Sequence, residues 1–206
     1  MTQQYPSWSQ MKHDAGMTLL SSLIGSLMEI ALCHLWSNGM IKFDPYFEEN
    51  FWFHLFCGAT VSFWRNPHFY AIHRLMHPWR TESVPDLGKY LYRKVHSLHH
   101  KSHNPTAFSG TSMHPVESTL YYTAIFLPCL WAAHPIVALT ALYDLGIAAW
   151  LGHDGFQWPG SGDYYHQLHH AHFDCNYGSP AFPVDWLFGT YAGQKDDVKR
   201  IWVKKE

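Results

Sequence analysis

Long apolar runs separated by polar, histidine-bearing stretches set the pattern of this 206-residue chain. The first run, residues 17–36 (MTLLSSLIGSLMEIALCHLW), carries one acidic or basic charge, Glu29, over the length of helix that crosses a hydrocarbon core. Glu29 and His34 keep a second expectation open, a helix buried in a protein core. The second run, residues 51–64 (FWFHLFCGATVSFW), is apolar and aromatic but short for a crossing, which predicts a re-entrant or interfacial helix unless it extends at both ends. The third, residues 118–150, is interrupted by Pro128 and by His134-Pro135. Because proline disfavours helix in the residue before it, this run predicts two helices that meet near residues 134–136, a hairpin entering and leaving the bilayer on one side. Asp144 is its one charge.

The stretches between the apolar runs are basic. Arg65, Arg74, Arg80, Lys89, Arg93, Lys94 and Lys101 lie in or beside the first polar segment, and Lys195, Lys199, Arg200, Lys204 and Lys205 lie in the second. Positive charge marks the cytoplasmic side of a membrane, which puts both segments in the cytosol with hydrophobic hairpins between them. Charged residues make up 15% of the chain and aromatics 17%, a membrane-leaning balance against the ~25% charged of soluble domains. The formal charge of −2 supplies no field for phosphates, so nucleic acid is excluded as a partner. Cys33, Cys57, Cys129 and Cys175 are scattered with no disulfide spacing, and the polar first residues lack the pattern of a secretory signal.

Candidate chemistry sits in the histidines. His73 and His77 are four apart, one helical face, with imidazoles about 6 Å apart along the axis. The glutamate of the H-E-x-x-H metalloprotease pattern is missing, since position 74 is Arg74. His96, His99 and His100 repeat at i, i+3, i+4, as do His166, His169 and His170. Within each triplet the adjacent pair diverges by about 100°, an arrangement better suited to two ions than to one. With His153 the candidates number nine, more than a single tetrahedral zinc takes, which implies a two-metal site if the helices converge. A histidine-rich surface or a set of hydrogen-bonded core histidines is the bland alternative. Spacing does not name the metal, because an imidazole nest also takes zinc, copper or nickel.

The ordered motifs YAIHRLMH (70–77), VHSLHHKSHNPTAFSG (95–110), SMHPVES (112–118), GHDGF (152–156) and YHQLHHAHFDCNYGSPAFPVDWLFGTY (165–191) resemble the fatty acid hydroxylase/sterol desaturase superfamily of integral membrane di-iron oxygenases. The resemblance implies an all-α membrane protein with a cytosolic histidine-rich helical cap that holds a dinuclear site. It divides the chain into residues 1–65, with one or two membrane helices, and 66–206, the hydroxylase-like catalytic domain with its hairpin at about 118–151. It implies His73, His77, His96, His99, His100, His166, His169 and His170 as ligands, with His153 commonly added, and His103, His114 and His172 as residues behind them or in substituted positions. Relatives carry an aspartate where Asn66 stands, seven residues before the first ligand; the amide oxygen of Asn66 is expected to accept an imidazole N–H in its place. Relatives are also longer at the N-terminus, so a short natural form or a fragment is expected.

By the same resemblance the function is O2-dependent hydroxylation or desaturation of a lipid by two iron ions, zinc being able to replace them in a purified sample. NPTAFSG and SMHPVES lie nearer the sterol desaturase and sterol methyl oxidase branch, which favours a sterol; a fatty acyl or sphingolipid hydroxylase is the alternative. Ten aromatics, Trp52, Phe53, Phe56, Phe63, Trp64, Tyr121, Tyr122, Phe126, Trp131 and Trp150, are candidates for a greasy tunnel, most of them better explained as packing or interface anchors. No haem or flavin motif is present, so electrons come from outside, from a cytochrome b5-type or similar donor, and the implied location is the endoplasmic reticulum membrane. A non-catalytic membrane protein with a structural dizinc site and a soluble histidine-rich metal-storage protein are the competing classes.

Overall fold

A computed structural model describes residues 5–80, 84–102, 104–156, 162–180, 182–193 and 197–198. Helix α1 (Trp8–Ser37) opens on Ser7, whose hydroxyl accepts from the Gln10 N–H, and runs for 30 residues, about 45 Å. Its inward stripe is Asp14, Ser21, Gly25 and Leu32. Gly25 admits the Tyr122 ring to 3.5 Å from where a Cβ would stand, and Ser21 Oγ hydrogen-bonds Ser118 and Tyr122 at 2.9 and 3.1 Å. The outer face leaves Leu19, Leu23, Leu27 and Ile30 exposed. Only 17% of the most apolar window of α1 is covered, which removes the buried-core expectation for this helix. Among the described residues α1 is the one helix long and apolar enough to cross a membrane.

The second apolar run divides at Thr60 into α2 (Phe51–Ala59) and the start of α3 (Val61–Leu75). The Thr60 hydroxyl closes α2 by donating to the Phe56 carbonyl at 2.7 Å, and at nine residues α2 is too short to span. The third run breaks where proline predicts, but its first arm is no continuous α-helix. It is α5 (Pro115–Tyr122) followed by a 3-10 segment, Thr123–Trp131, that contains Pro128 and ends on Ala132 in the left-handed region. Pro128 has no N–H for an α-helical ladder, which accounts for the change of winding. His134 then caps α6 (Pro135–Leu151), accepting the Ile136 N–H at 3.1 Å with Pro135 at its first position. At 17 residues α6 is apolar but shorter than a spanning helix. The apolar core runs between α1, α5, the 3-10 segment and α6 around Leu32, Ile125, Ala138, Tyr122 and Leu145.

The histidine-bearing segments pack against this core through Met76, Val95 and Met113. Asp86 caps α4 (Leu87–Lys94), accepting from Lys89 N at 2.8 Å. The stretch 96–101, predicted as one α-helical face, is a 3-10 helix instead (His96–Lys101). Helices α7 (Asp163–His172) and α8 (Val184–Leu187) complete the set. The basic residues at 195, 199, 200, 204 and 205 lie outside the described residues.

Candidate metal centre

Three elements and one helix end converge. Helix α3 contributes His73 and, just past its end, His77; the 3-10 helix contributes His96, His99 and His100; α7 contributes His166, His169 and His170. His153 follows Gly152, the cap of α6. The nine gather in two groups, His73, His77, His96, His100 and His169 in one and His99, His153, His166 and His170 in the other, with candidate ligand atoms in each within 4.8 Å of one another. The adjacent pairs divide between groups, His99 from His100 and His169 from His170, as their angular divergence predicts.

Hydrogen bonding fixes which nitrogen faces inward. His73 Nδ1 meets the Tyr177 carbonyl at 2.6 Å, His153 Nδ1 the Ala149 carbonyl at 2.6 Å, His169 Nδ1 the Cys175 carbonyl at 2.7 Å and His99 Nδ1 the Ser112 carbonyl at 3.3 Å. A carbonyl only accepts, so each Nδ1 carries the proton and each Nε2 presents a lone pair. His96 Nδ1 donates in the same way to Glu117 Oε1 at 2.7 Å. The Nε2 atoms of His73 and His96 then stand 3.1 Å apart, and those of His153 and His99 also 3.1 Å. Two lone pairs at that distance repel; a cation between them turns repulsion into ligation. Nitrogens bound to one ion at ~2.0–2.1 Å and about a right angle apart lie about 3 Å from each other. His169 Nε2 and both nitrogens of His77 are buried with no hydrogen-bond partner, an expensive state for polar atoms that ligation relieves. The residues fit a pair of metal ions.

Burial sets the charge of the nest. It lowers His96, His99 and His169 to about 3 and His153 to about 4, so the imidazoles are neutral and available as ligands at neutral pH. Burial pushes Glu117 the other way, up to about 7. It is the single carboxylate in contact with a grouped histidine among the described residues.

The chain matches the fatty acid hydroxylase family over residues 58–190, a stretch that contains every histidine of both groups. This chain belongs to the fatty acid hydroxylase family. Similar proteins include an Arabidopsis thaliana protein named for Delta(7)-sterol-C5(6) desaturation, 31% identical over 134 residues that cover 59% of this chain and 47% of that protein. The Delta(7)-sterol-C5(6)-desaturase of Nicotiana tabacum is 28% identical over 184 residues, 81% of this chain and 66% of its own length. Methylsterol monooxygenase 1 of Rattus norvegicus is 24% identical over 163 residues, 73% and 51%. These relatives place the chain nearer the sterol desaturase branch of the family. The chain spans about half to two thirds of the length of these relatives. No solved structure matches it.

Within this hydroxylase-family site the other sequence candidates fall differently. His114 is the cap of α5, accepting the Val116 N–H at 3.2 Å, and belongs to neither group. His172 sits half-buried in the last turn of α7, outside both groups, and His103 lies outside the described residues. Asn66 does not orient an imidazole: the Tyr177 carbonyl already takes the His73 proton, and the buried Asn66 Oδ1 has no hydrogen-bond partner. The carboxylate behind a candidate ligand is Glu117 instead, which sequence reasoning passed over within SMHPVES.

Two further carboxylates hold the acceptors in place. Asp185 accepts from Tyr177 N, Gly178 N, Tyr165 Oη and Thr190 Oγ1 at 2.5–2.8 Å, fixing the turn whose Tyr177 carbonyl orients His73. Asp14, fully buried on α1, accepts from the hydroxyls of Ser102, Ser112 and Ser109 at 2.7, 2.9 and 3.3 Å, tying the segment of His99 and His100 to α1. Beside the histidines a cavity of about 230 Å³ runs between α3 and α6, reached by His73, His99, His153 and His166 and walled by Phe69, Met113, Tyr121, Leu145 and Ile147. Of the ten aromatic candidates only Tyr121 lines it; Trp52, Phe53, Phe56, Phe63 and Trp150 are exposed, and Tyr122, Phe126, Trp64 and Trp131 pack in the apolar clusters.

Proposed function

We propose that this protein is a membrane-bound, O2-dependent lipid hydroxylase or desaturase that holds two iron ions in its nine-histidine nest and acts on a sterol or related lipid. One observation carries this: two groups of imidazoles, all but His170 buried and five with Nδ1 held outward, open onto a cavity walled largely by carbon. Bound iron supplies the oxidising power that removes hydrogen from an unactivated carbon, which no amino-acid side chain provides. His73, His77, His96, His100 and His169 hold one ion; His99, His153, His166 and His170 hold the other. The Tyr177, Ala149, Cys175 and Ser112 carbonyls and Glu117 keep the Nδ1 protons facing outward, so the inward nitrogens stay unprotonated. Phe69, Met113, Tyr121 and Leu145 exclude water and receive hydrocarbon. Electrons arrive from a separate donor of the cytochrome b5 type, docking on the cytosolic histidine half of an endoplasmic reticulum protein.

The test is turnover in nanodiscs: iron-loaded protein, a reduced cytochrome b5 system, O2, and sterol and acyl-chain lipids offered side by side. An oxidised sterol whose yield falls at least 100-fold in His96→Ala supports the proposal. Product from the acyl lipids alone selects the fatty acyl alternative. A zinc-filled protein that yields no product with iron restored overturns it in favour of a structural site.

A further inference from the structure

The histidine nest reaches the surface at the end of α7. His170 is the one grouped histidine that is only partly buried, and its ring lies 4.5 Å from that of His100. Phe173, 37% exposed just past α7, packs its ring 4.9 Å from His100. Tyr92, partly buried on α4, stands 5.9 Å from Phe173 and 5.2 and 5.6 Å from His77 and His100. At this place no more than one side chain separates either histidine group from the exterior.

The surface there is basic. Lys89, Arg93 and Lys94 on α4 and Lys101, next to His100, are exposed, and none of the four is in an ion pair among the described residues. The nearby described carboxylates are engaged: Asp174 pairs with Arg80, and Asp86 accepts the N–H groups of Trp79, Arg80 and Lys89. Lys89 and Arg93 are one helical turn apart, with Tyr92 within a turn of both. Leu87 and Tyr90, 47% and 60% exposed, add apolar and aromatic contact area among these cations, a mixture found at protein interfaces. The position of α4 decides what it meets. Ser62, at the start of α3, donates to Asp144 in the third apolar run, and the 15 residues of α3 carry the chain about 20 Å from there to the histidines. Helix α4 lies past that end, where Gly88 leaves no room for a Cβ against the His77 carbonyl. It therefore stands away from the apolar run, on the side of water.

We infer that the face formed by Lys89, Arg93, Lys94 and Lys101 around Tyr92 and Phe173 docks an acidic one-electron carrier protein and brings its redox centre against His100 and His170. The inference rests on the proposed function for the nest holding iron. Each encounter moves one electron: the carrier is oxidised by one, a ferric ion of the nest is reduced to ferrous, and no atom is exchanged. Opposite charge steers the encounter and fixes which side of the carrier faces the histidines.

The test is docking, read without turnover. The full chain, zinc-loaded in phosphatidylcholine nanodiscs, is titrated with the soluble haem domain of cytochrome b5, an acidic carrier, and with cytochrome c, a basic one. The acidic carrier is expected to bind, with an affinity that falls about tenfold as salt rises from about 0.05 to 0.2 M, and the basic carrier not to bind. Combining Lys89→Glu, Arg93→Glu and Lys94→Glu, all at exposed positions, is expected to weaken the acidic carrier at least about 30-fold, whereas Lys42→Glu, exposed past the other end of α1, leaves it unchanged. Carbodiimide, which couples lysine amines to carboxylates in contact with them, is expected to join the carrier to Lys89, Lys94 and Lys101 of the unaltered protein. Undiminished affinity in the triple variant, equal binding of the two carriers, or coupling at Lys12 or Lys42 instead overturns the inference. A triple variant that loses affinity for phosphatidylserine vesicles while the carrier binds as before marks a lipid-binding face and overturns it too. A protein that docks the carrier and, with iron in place, yields no product defeats the proposed function and leaves this face standing.

Discussion

Five of the grouped imidazoles, His73, His96, His99, His153 and His169, are tied at Nδ1 to a carbonyl or carboxylate oxygen, and that single contact holds a titratable ring in the orientation and tautomer that metal ligation needs. Glu117 is the one carboxylate among these ties. Glu117→Ala strands the His96 N–H in a dry site and is expected to weaken metal affinity 10–100-fold, whereas Glu117→Gln, which keeps an accepting oxygen, weakens it less; competitive chelator titration measures both. The metal-free protein carries a pH signature with a definite sign. Burial holds His96, His99 and His169 near 3 and the other six below their ordinary 6.5, so in acid the unfolded chain binds more protons than the folded one. Stability of the metal-free form is therefore full above about pH 7 and falls as pH drops through 6.5 towards 4. Glu117, raised to about 7, opposes this over pH 4.5–7 but is one group against nine. Chemical unfolding at stepped pH in detergent checks it; a metal-free protein more stable at pH 5 than at pH 7.5 contradicts neutral buried imidazoles.

At the scale of elements, the nest depends on close approaches between segments distant in sequence. Gly110, in the 3-10 turn Ser109–Thr111, lies so near the end of α6 that a Cβ would stand 2.3 Å from the Ala149 carbonyl, the same oxygen that orients His153. Gly110→Ala is expected to displace that carbonyl and release the ion of the His99 group while the His73 group keeps its own, halving the bound metal measured by elemental analysis. Asp14 works across a longer reach, and Asp14→Ala leaves the buried Ser102 and Ser112 hydroxyls without an acceptor, while Ser109 can still donate to Thr106 Oγ1, a loss of about 2 kcal/mol in an unfolding titration. These two residues show where sequence stops being informative. The nine candidate histidines could be picked out because metal ligation imposes spacing within one short segment, and the structure gathers them into two groups. Glu117, Asp14 and Gly110 act on partners 21, 88 and 39 residues away, and no local period encodes such a contact. For the same reason hydrophobic and histidine periodicity did not separate the α-helical from the 3-10 winding at 96–101 or 123–131. The expected role of Asn66 failed because the carbonyl of Tyr177, more than a hundred residues on, had already taken the proton it was meant to accept.

For the molecule as a whole, the apolar half and the histidine half divide the labour. Exposed Leu19, Leu23, Leu27 and Ile30 on α1 and Trp52, Phe53 and Phe56 on α2 face outward in a way that water penalises and lipid does not. The protein is expected to stay with the membrane pellet through alkaline carbonate extraction and to leave it only in detergent; release by carbonate alone contradicts a membrane-embedded α1. The central claim, that three stretches of chain gather around a pair of ions, is tested most directly by counting metal. Purified full-length protein reconstituted with ferrous iron should hold two ions per chain. His77→Ala combined with His169→Ala should leave one, held by the His99 group. Fewer than one ion in the unaltered protein, or two retained in that double variant, would contradict the account.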